Sequence, residues 1–198
     1  MNEKKIQQLE DEIKELHYNT VNIKYCFSEA EGRGFYGLFW KMHIKPVIEY
    51  SKQMAEKYGA DDEAVWLGAI LHDICRLTEE NPHDELGLKK SHSILIEKGF
   101  GNEMADKVAS IILTHSCKKF QPETLEQKIV ASADAMAHFL SPFYLWLFRY
   151  SNKNFEECLG GYASKIERDF NEKIFFADEK EMVRKEYEVL RKWFEYKI

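Results

Sequence analysis

Apolar side chains recur at intervals of three and four residues along most of this 198-residue chain, which is the spacing of one face of an α-helix. Strand signals are weak by comparison. Alternation of apolar and polar residues never persists, and the sequence has no Asn-Gly or Asp-Gly pair of the kind that forms tight hairpins. Only four prolines interrupt the chain. The sequence therefore predicts an all-α fold, with residues 1–198 forming a single domain.

Helix boundaries follow from the apolar stripes and from the glycines and prolines between them. The first helices are predicted over 3–17, from near His43 to Tyr58, and from Asp61 or Asp62 to His72. The stretch 28–41 carries three glycines, so a loop that becomes helical near Trp40 is expected there, and the polar stretch 77–85 is expected to be a loop. Further helices are predicted over 86–98, 102–116, 123–140, 143–151, 161–175 and 178–197.

Composition excludes several classes of protein. The net charge of −6 and the pI near 5.7 argue against an extended basic surface for nucleic acid. The first 17 residues contain no apolar leader, and the longest apolar-aromatic run, "FYLWLF", is too short to span a membrane. The four cysteines form no C-x-x-C pair, which disfavours disulfides and a thiolate zinc site. We therefore expect a cytoplasmic protein that has no membrane partner.

The segment "VWLGAILHDICRL", residues 65–77, is an apolar helical run that ends on an adjacent histidine and aspartate. His72 continues the apolar stripe of Val65 and Ala69, so its side chain is predicted to face the core. A buried carboxylate without a partner costs several kcal/mol, on the order of 3–5. His72 and Asp73 are therefore expected either to be solvated at a helix end or to bind something.

Further ionisable residues follow the apolar stripes of other predicted helices. His92 lies between Leu88 and Leu95, His115 continues the stripe of Ile111, and the same pattern on the next helix includes Asp134. Separate burial of so many ionisable groups would exceed the ~5–15 kcal/mol by which a domain is stable. A shared metal ion would resolve this cost, since imidazole and carboxylate both bind divalent ions.

The order of these residues resembles the HD-domain superfamily of metal-dependent phosphohydrolases, and the similarity is carried by "AILHDICRL", "ASIILTH" and "IVASADAMAHF". The resemblance implies a helical bundle with an HD core over about 40–140 and helical extensions over 1–30 and 143–198. It further implies that one metal ion binds to four residues, which are His43, His72, Asp73 and Asp134. A second ion would bind His92 and His115, with Asp73 bridging the two ions.

The same resemblance implies hydrolysis of a phosphomonoester or phosphoanhydride by a metal-activated water. A small phosphorylated compound, in particular a nucleotide, is the expected substrate, and one or two ions of Mn, Fe, Co, Ni or Zn are the expected cofactors. Two other functions remain open: a di-iron oxygenase on the same fold and a non-catalytic ligand-binding signalling module. The residues after His72-Asp73 are "ICRL" rather than Glu-Asp, which disfavours guanosine tetraphosphate as the substrate.

Three basic residues near the predicted ligands are candidates for binding substrate phosphate. Arg76 lies one turn after Asp73, and these two residues are the candidate catalytic pair. Lys118 and Lys119 follow His115 closely. The alternatives are a surface ion pair of Arg76 with Glu79 or Glu80, and lysines that merely complement a helix C-terminus.

A second His-Asp pair, His83-Asp84, falls in the predicted polar loop and is interpreted as solvated or helix-capping. The alternative is that His83 reaches the mouth of the site as a proton donor. His138 follows Asp134 by one helical turn, so it either packs in the core or supports that ligand. The C-terminal helices are expected to cover the outside of the domain, with a homodimer interface or a substrate lid as the alternatives.

Overall fold

A computed structural model of the protein describes residues 2–22, 24, 26, 28–78 and 82–195. All regular secondary structure in these ranges is helical, which confirms the all-α prediction. None of the described helices has both the length and the apolar character that crossing a membrane requires. The α-helices are α1 Asn2–Asn19, α2 Glu29–Phe39, α3 Lys45–Tyr58, α4 Asp62–Leu71, α5 His83–Glu97, α6 Asn102–Thr114, α7 Leu125–Phe139, α8 Phe143–Arg149, α9 Phe155–Arg168 and α10 Ala177–Phe194.

Helices α2 and α3 are continuous through a π-helical turn, Trp40–Ile44, so the predicted loop at 28–41 and the predicted helix start near His43 are wrong. Ser28 caps α2 by accepting a hydrogen bond from the backbone N–H of Glu31. Several aromatic side chains of α2 are buried, and their packing outweighs the low helix propensity of the glycines. The π-helical turn carries His43 into the core, where it is 1% exposed.

Helices α4 and α6 cross at close range. A Cβ atom on Gly68 of α4 would lie 2.8 Å from Cγ2 of Ile111 on α6, so only glycine permits this approach. Helix α4 follows Gly59, whose φ of 70° ends α3, and Asp61 caps it by accepting a hydrogen bond from the N–H of Ala64. The close crossing brings the C-terminal ends of α4 and α6 together.

A 3₁₀-helical turn, Ile74–Thr78, follows α4, and α5 then begins at His83, directly after Pro82. The predicted loop over 77–85 therefore ends earlier than expected, and the predicted helix start at 86 is wrong. Residues 79–81 lie outside the described part of the chain. Helix α5 packs along α6.

Helix α8 begins at Phe143, as the sequence predicts, but α9 begins at Phe155 instead of the predicted residue 161. Asn154 and Glu157 form a capping box that starts α9, and the helix continues through Gly160 and Gly161. A second π-helical turn, Asp169–Lys173, extends α9. The Ser132 hydroxyl on α7 donates a hydrogen bond to the carbonyl of Lys173 at 3.2 Å, which fastens this turn beside Asp134.

Candidate metal centre

Two histidines occupy equivalent positions, directly after the last residues of α4 and α6. The Nδ1 atom of His72 lies 2.8 Å from the carbonyl oxygen of Ala69, and that of His115 lies 2.6 Å from the carbonyl oxygen of Ile112. A carbonyl only accepts hydrogen bonds, so in each ring Nδ1 carries a hydrogen. The Nε2 atom of each neutral ring then presents a lone pair, which is the form that binds a metal ion.

Four of the predicted ligands meet in one buried group. The Nε2 atom of His43 lies 3.1 Å from Nε2 of His72, 3.5 Å from Oδ2 of Asp73 and 3.4 Å from Oδ1 of Asp134. All four residues are at most 7% exposed. These ligand atoms come from the π-helical turn, the end of α4 and the middle of α7, so only the tertiary fold brings them together.

A second group forms on the other oxygen of Asp73. Its Oδ1 atom lies 3.6 Å from Nε2 of His115 and 3.9 Å from Nε2 of His83, whereas its Oδ2 atom faces His43 and His72. The two carboxylate oxygens of Asp73 therefore face two different sets of imidazoles.

His92 does not join either group, and its predicted inward orientation is wrong. Its side chain is 35% exposed, and its Nε2 atom lies 3.1 Å from a carboxylate oxygen of Asp106. The buried positions of α5 are His83, Asp84, Gly87, Ser91 and Leu95. This stripe passes beside His92, and it is hidden in the sequence because Gly87 and Ser91 are not large apolar residues.

The interpretation of His83-Asp84 as a solvated pair is also wrong. His83 is 6% exposed, and its Nε2 atom lies 2.9 Å from Oδ1 of Asp84 and 3.1 Å from the Arg76 guanidinium. The other oxygen of Asp84 accepts a hydrogen bond from the Ser116 hydroxyl at 2.7 Å. Burial raises the pKa of Asp84, but the nearby imidazoles of His83 and His115 and the hydrogen bond from Ser116 outweigh this effect and lower the pKa to about 2.

The protonation states of the buried group suit metal binding. Burial lowers the pKa of His72 to about 4, so the imidazole is neutral at neutral pH. Burial alone would raise the pKa of Asp73, but the charge of Arg76 and hydrogen bonds from histidines hold it well below its ordinary value. The buried Lys173 ammonium, which pairs with Oδ2 of Asp134, has the same effect on the pKa of that carboxyl.

Unsatisfied polar atoms indicate where a cation fits. Within the described part of the chain, Oδ1 of Asp134 and Oδ1 of Asp84 are buried and accept no hydrogen bond. Three sets of side chains place all their ligand atoms within 4.8 Å of one another: His43, His72 and Asp73; His43, Asp134 and His138; and Asp73, His83 and His115. Imidazole and carboxylate donors at these separations could hold a divalent metal ion.

A pocket of about 530 Å³ opens over these groups. Its aromatic lining includes Phe35, Tyr36, Phe39, Phe143, Trp146, Tyr150 and Tyr162, and its basic lining consists of Arg76, Lys118, Lys153, Lys165, Arg168 and Lys173. The sequence identified only Arg76 and Lys118 among these cations. A basic residue in a charged segment gives no sequence signal that tells whether its side chain faces a pocket or the solvent.

The structure places two of the three predicted phosphate-binding residues at the pocket and the third outside it. The Nε atom of Arg76 lies 3.3 Å from Oδ1 of Asp73, at the pocket wall. Lys118 also lines the pocket, whereas Lys119 is 67% exposed and pairs with Glu85 at 2.7 Å. The alternative partners of Arg76, Glu79 and Glu80, lie outside the described residues.

Comparison with known proteins identifies the class to which this fold and this buried cluster belong. Residues 41–138 match the HD domain family, and the chain is a member of the HD superfamily. No protein among the curated sequences matches the chain.

Solved structures with a similar fold include Bacillus subtilis YpgQ, which aligns with a TM-score of 0.69 at 18% identity over 98% of this chain and 94% of that one. YpgQ in complex with ADP aligns with a TM-score of 0.66 at 18% identity over 96% and 93% of the two chains. A predicted HD superfamily hydrolase from an uncultured Thermotogales bacterium aligns with a TM-score of 0.57 at 18% identity over 92% and 87%. At this identity, the likeness establishes a shared fold.

Proposed function

We propose that this protein is a metal-dependent phosphohydrolase that cleaves a phosphomonoester or phosphoanhydride in a nucleotide. The observation that carries the proposal is the position of Asp73. One of its oxygens faces His43 and His72, and the other faces His83 and His115, at the floor of a pocket with a basic wall. A carboxylate in this position can serve two ions, with His83 taking the place first predicted for His92.

Metal ions bound to these two groups would activate a water and neutralise charge on the phosphoryl oxygens. The chain itself supplies the remaining positive charge. The Arg76 guanidinium lies beside Asp73 and keeps 45% of its side-chain surface exposed, so it can contact a phosphate oxygen without leaving its place. Lys118, Lys165 and Arg168 line the same pocket and would hold further phosphate oxygens.

Two observations support a nucleotide as the substrate. Part of the pocket wall is aromatic, with Phe35 and Trp146 4.8 Å apart between ring centroids and Phe35 and Tyr150 4.9 Å apart. Such rings offer surfaces on which a base can stack. The structure of the similar protein YpgQ was solved in complex with ADP.

The test is a phosphatase screen of the protein loaded in turn with Mn, Fe, Co, Ni and Zn, using nucleoside mono-, di- and triphosphates and simple phosphomonoesters. Phosphate or pyrophosphate release by at least one loaded form, lost in Asp73→Asn, is the expected result. Oxygen uptake by the iron form without phosphate release would favour the di-iron oxygenase instead. Nucleotide binding without turnover in any metal would indicate a ligand-binding module.

A further inference from the structure

His138 lies one helical turn after Asp134 on α7, and its side chain is 3% exposed. Side chains four residues apart on a helix share a face, so Asp134 and His138 approach the same point. The Nε2 atom of His138 lies 3.2 Å from Oδ1 of Asp134, and that same oxygen lies 3.4 Å from Nε2 of His43. The spacing matches that of two ligands of one ion, which pairs of residues at i and i+4 on a helix often provide.

The second nitrogen of His138 is held by Asp169, which is fully buried on the π-helical turn after α9. Nδ1 lies 2.8 Å from Oδ2 of Asp169, a carboxylate that can only accept, so Nδ1 carries a hydrogen. The Lys165 ammonium lies 3.2 Å from Nδ1, but it donates to the same Asp169 oxygen at 2.5 Å, and the Tyr144 hydroxyl donates there at 2.9 Å. A histidine whose outer nitrogen donates to a carboxylate is the usual arrangement of a metal ligand.

Packing also fixes the ring itself. The His138 imidazole lies between the His43 ring, at 4.9 Å between centroids, and the Phe143 ring, at 4.1 Å. In the neutral ring, Nε2 then presents a lone pair to Oδ1 of Asp134, which accepts no hydrogen bond from any described residue. Two electron-rich atoms at 3.2 Å are stable in the core when a cation binds both.

We propose that His138 is a fifth protein ligand of the metal ion bound by His43, His72, Asp73 and Asp134, and that Asp169 is the residue that orients it. The HD family match covers His138 only as its last residue, and Asp169 lies beyond it. The C-terminal extension thus completes the metal site instead of only covering the domain. This assignment rests on the metal centre of the proposed function.

The experiment uses the full-length protein loaded with Co²⁺ alone. In the wild type, each imidazole bound to Co²⁺ through Nε2 gives a paramagnetically shifted Nδ1–H signal in the proton NMR spectrum, and the Asp169-bonded proton of His138 should be among the slowest to exchange. His138→Gln, which keeps a polar side chain of similar length, should lose this signal. It should also bind Co²⁺ about 10–100-fold more weakly in competition with a chelator. His92→Gln, a half-exposed histidine outside the cluster, is the matched control and should change neither readout.

The outcomes separate this assignment from the function on which it rests. A His138→Gln protein that binds Co²⁺ as tightly as His92→Gln and retains every shifted signal would overturn the assignment and leave the metal centre in place. The wild-type NMR spectrum is sufficient by itself if the variant does not fold. If none of the shifted signals can be assigned to His138, its imidazole lies outside the coordination shell of the metal ion and the assignment is wrong. A wild-type protein that takes up no Co²⁺ would overturn both.

Discussion

The Nε2 atoms of His43 and His72 lie 3.1 Å apart in the core, although one side chain comes from a π-helical turn and the other from the end of α4. The hydrogen of His72 is on Nδ1, which contacts the carbonyl of Ala69, so its lone pair points towards His43. A π-helical turn inserts one extra residue into the helix, and such turns are frequent at functional sites. Here the turn sets the direction of the His43 side chain relative to α4.

The arrangement around Asp73 predicts which histidine holds a second metal ion. His83→Ala should lower the metal content of the protein by about one equivalent, because its Nε2 atom and that of His115 face the same oxygen of Asp73. His92→Ala should leave the content unchanged, since His92 pairs with Asp106 at the surface. Elemental analysis of protein purified without chelator measures both. Loss of metal in the His92 variant alone would reverse the assignment.

Arg76 is predicted to act on the substrate and not on the metal. Arg76→Ala should keep the metal content and reduce kcat/KM on the best substrate by the equivalent of about 2–4 kcal/mol of transition-state stabilisation, as when a positioned donor is removed. Lys119→Ala is the control, because Lys119 pairs with Glu85 outside the pocket. Equal activity of the two variants would contradict the phosphate contact.

The close crossing of α4 and α6 can be tested through its glycine. Gly68→Ala should lower the free energy of unfolding by about 1–3 kcal/mol, because the new Cβ would lie 2.8 Å from Ile111. The control is Gly34→Ala on α2, where a Cβ meets no atom of the described residues within 4 Å and alanine should stabilise the helix by about 0.5–1 kcal/mol. Chemical denaturation of the metal-free protein measures both changes. A neutral Gly68→Ala would show that the crossing has room to relax.

The stability of the metal-free protein should decrease as the pH falls from about 6.5 to about 4. His72 has a pKa of about 4 in the folded protein and about 6.5 when unfolded, so acid protonates the unfolded chain first and favours unfolding. Each histidine of this kind changes the free energy of unfolding by about 1.4 kcal/mol per pH unit within this range. Burial lowers the pKa of His138 to about 3, so His138 acts in the same direction.

His115 affects stability in the opposite direction. Burial lowers the pKa of His115, but the hydrogen bond and the negative charge of Asp73 outweigh this effect and raise it. Its contribution is fully present below pH 6.5 and is lost as the pH rises further, outside the window of the other two histidines. Thermal unfolding in a pH series measures how the free energy of unfolding depends on pH. His72→Gln should reduce the number of protons taken up on unfolding by about one. A flat profile between pH 4 and 6.5 would contradict the neutral state of His72 and His138.

The local sequence was sufficient to predict that the candidate ligands on regular apolar stripes face the core. His72, His115 and Asp134 continue runs of buried residues at helical spacing, and the structure brings all three into the cluster. His83 could not be found in this way, because its stripe on α5 continues through Gly87 and Ser91, which carry no hydrophobic signal. His92 has apolar neighbours at the right intervals, yet that face of α5 is partly exposed.

The sequence by itself determined the helical class of the fold, most of its helices and the adjacent His72-Asp73 pair, because these depend on periodicities within one helix. Only the tertiary structure decided which side chains share a site. The glycine contact between α4 and α6 sets the separation of His72 and His115, and the hydrogen bonds of Ser132 bring Lys173 to Asp134 across 39 residues of sequence. Contacts of this kind depend on how helices pack together, and no periodicity within a single helix records them.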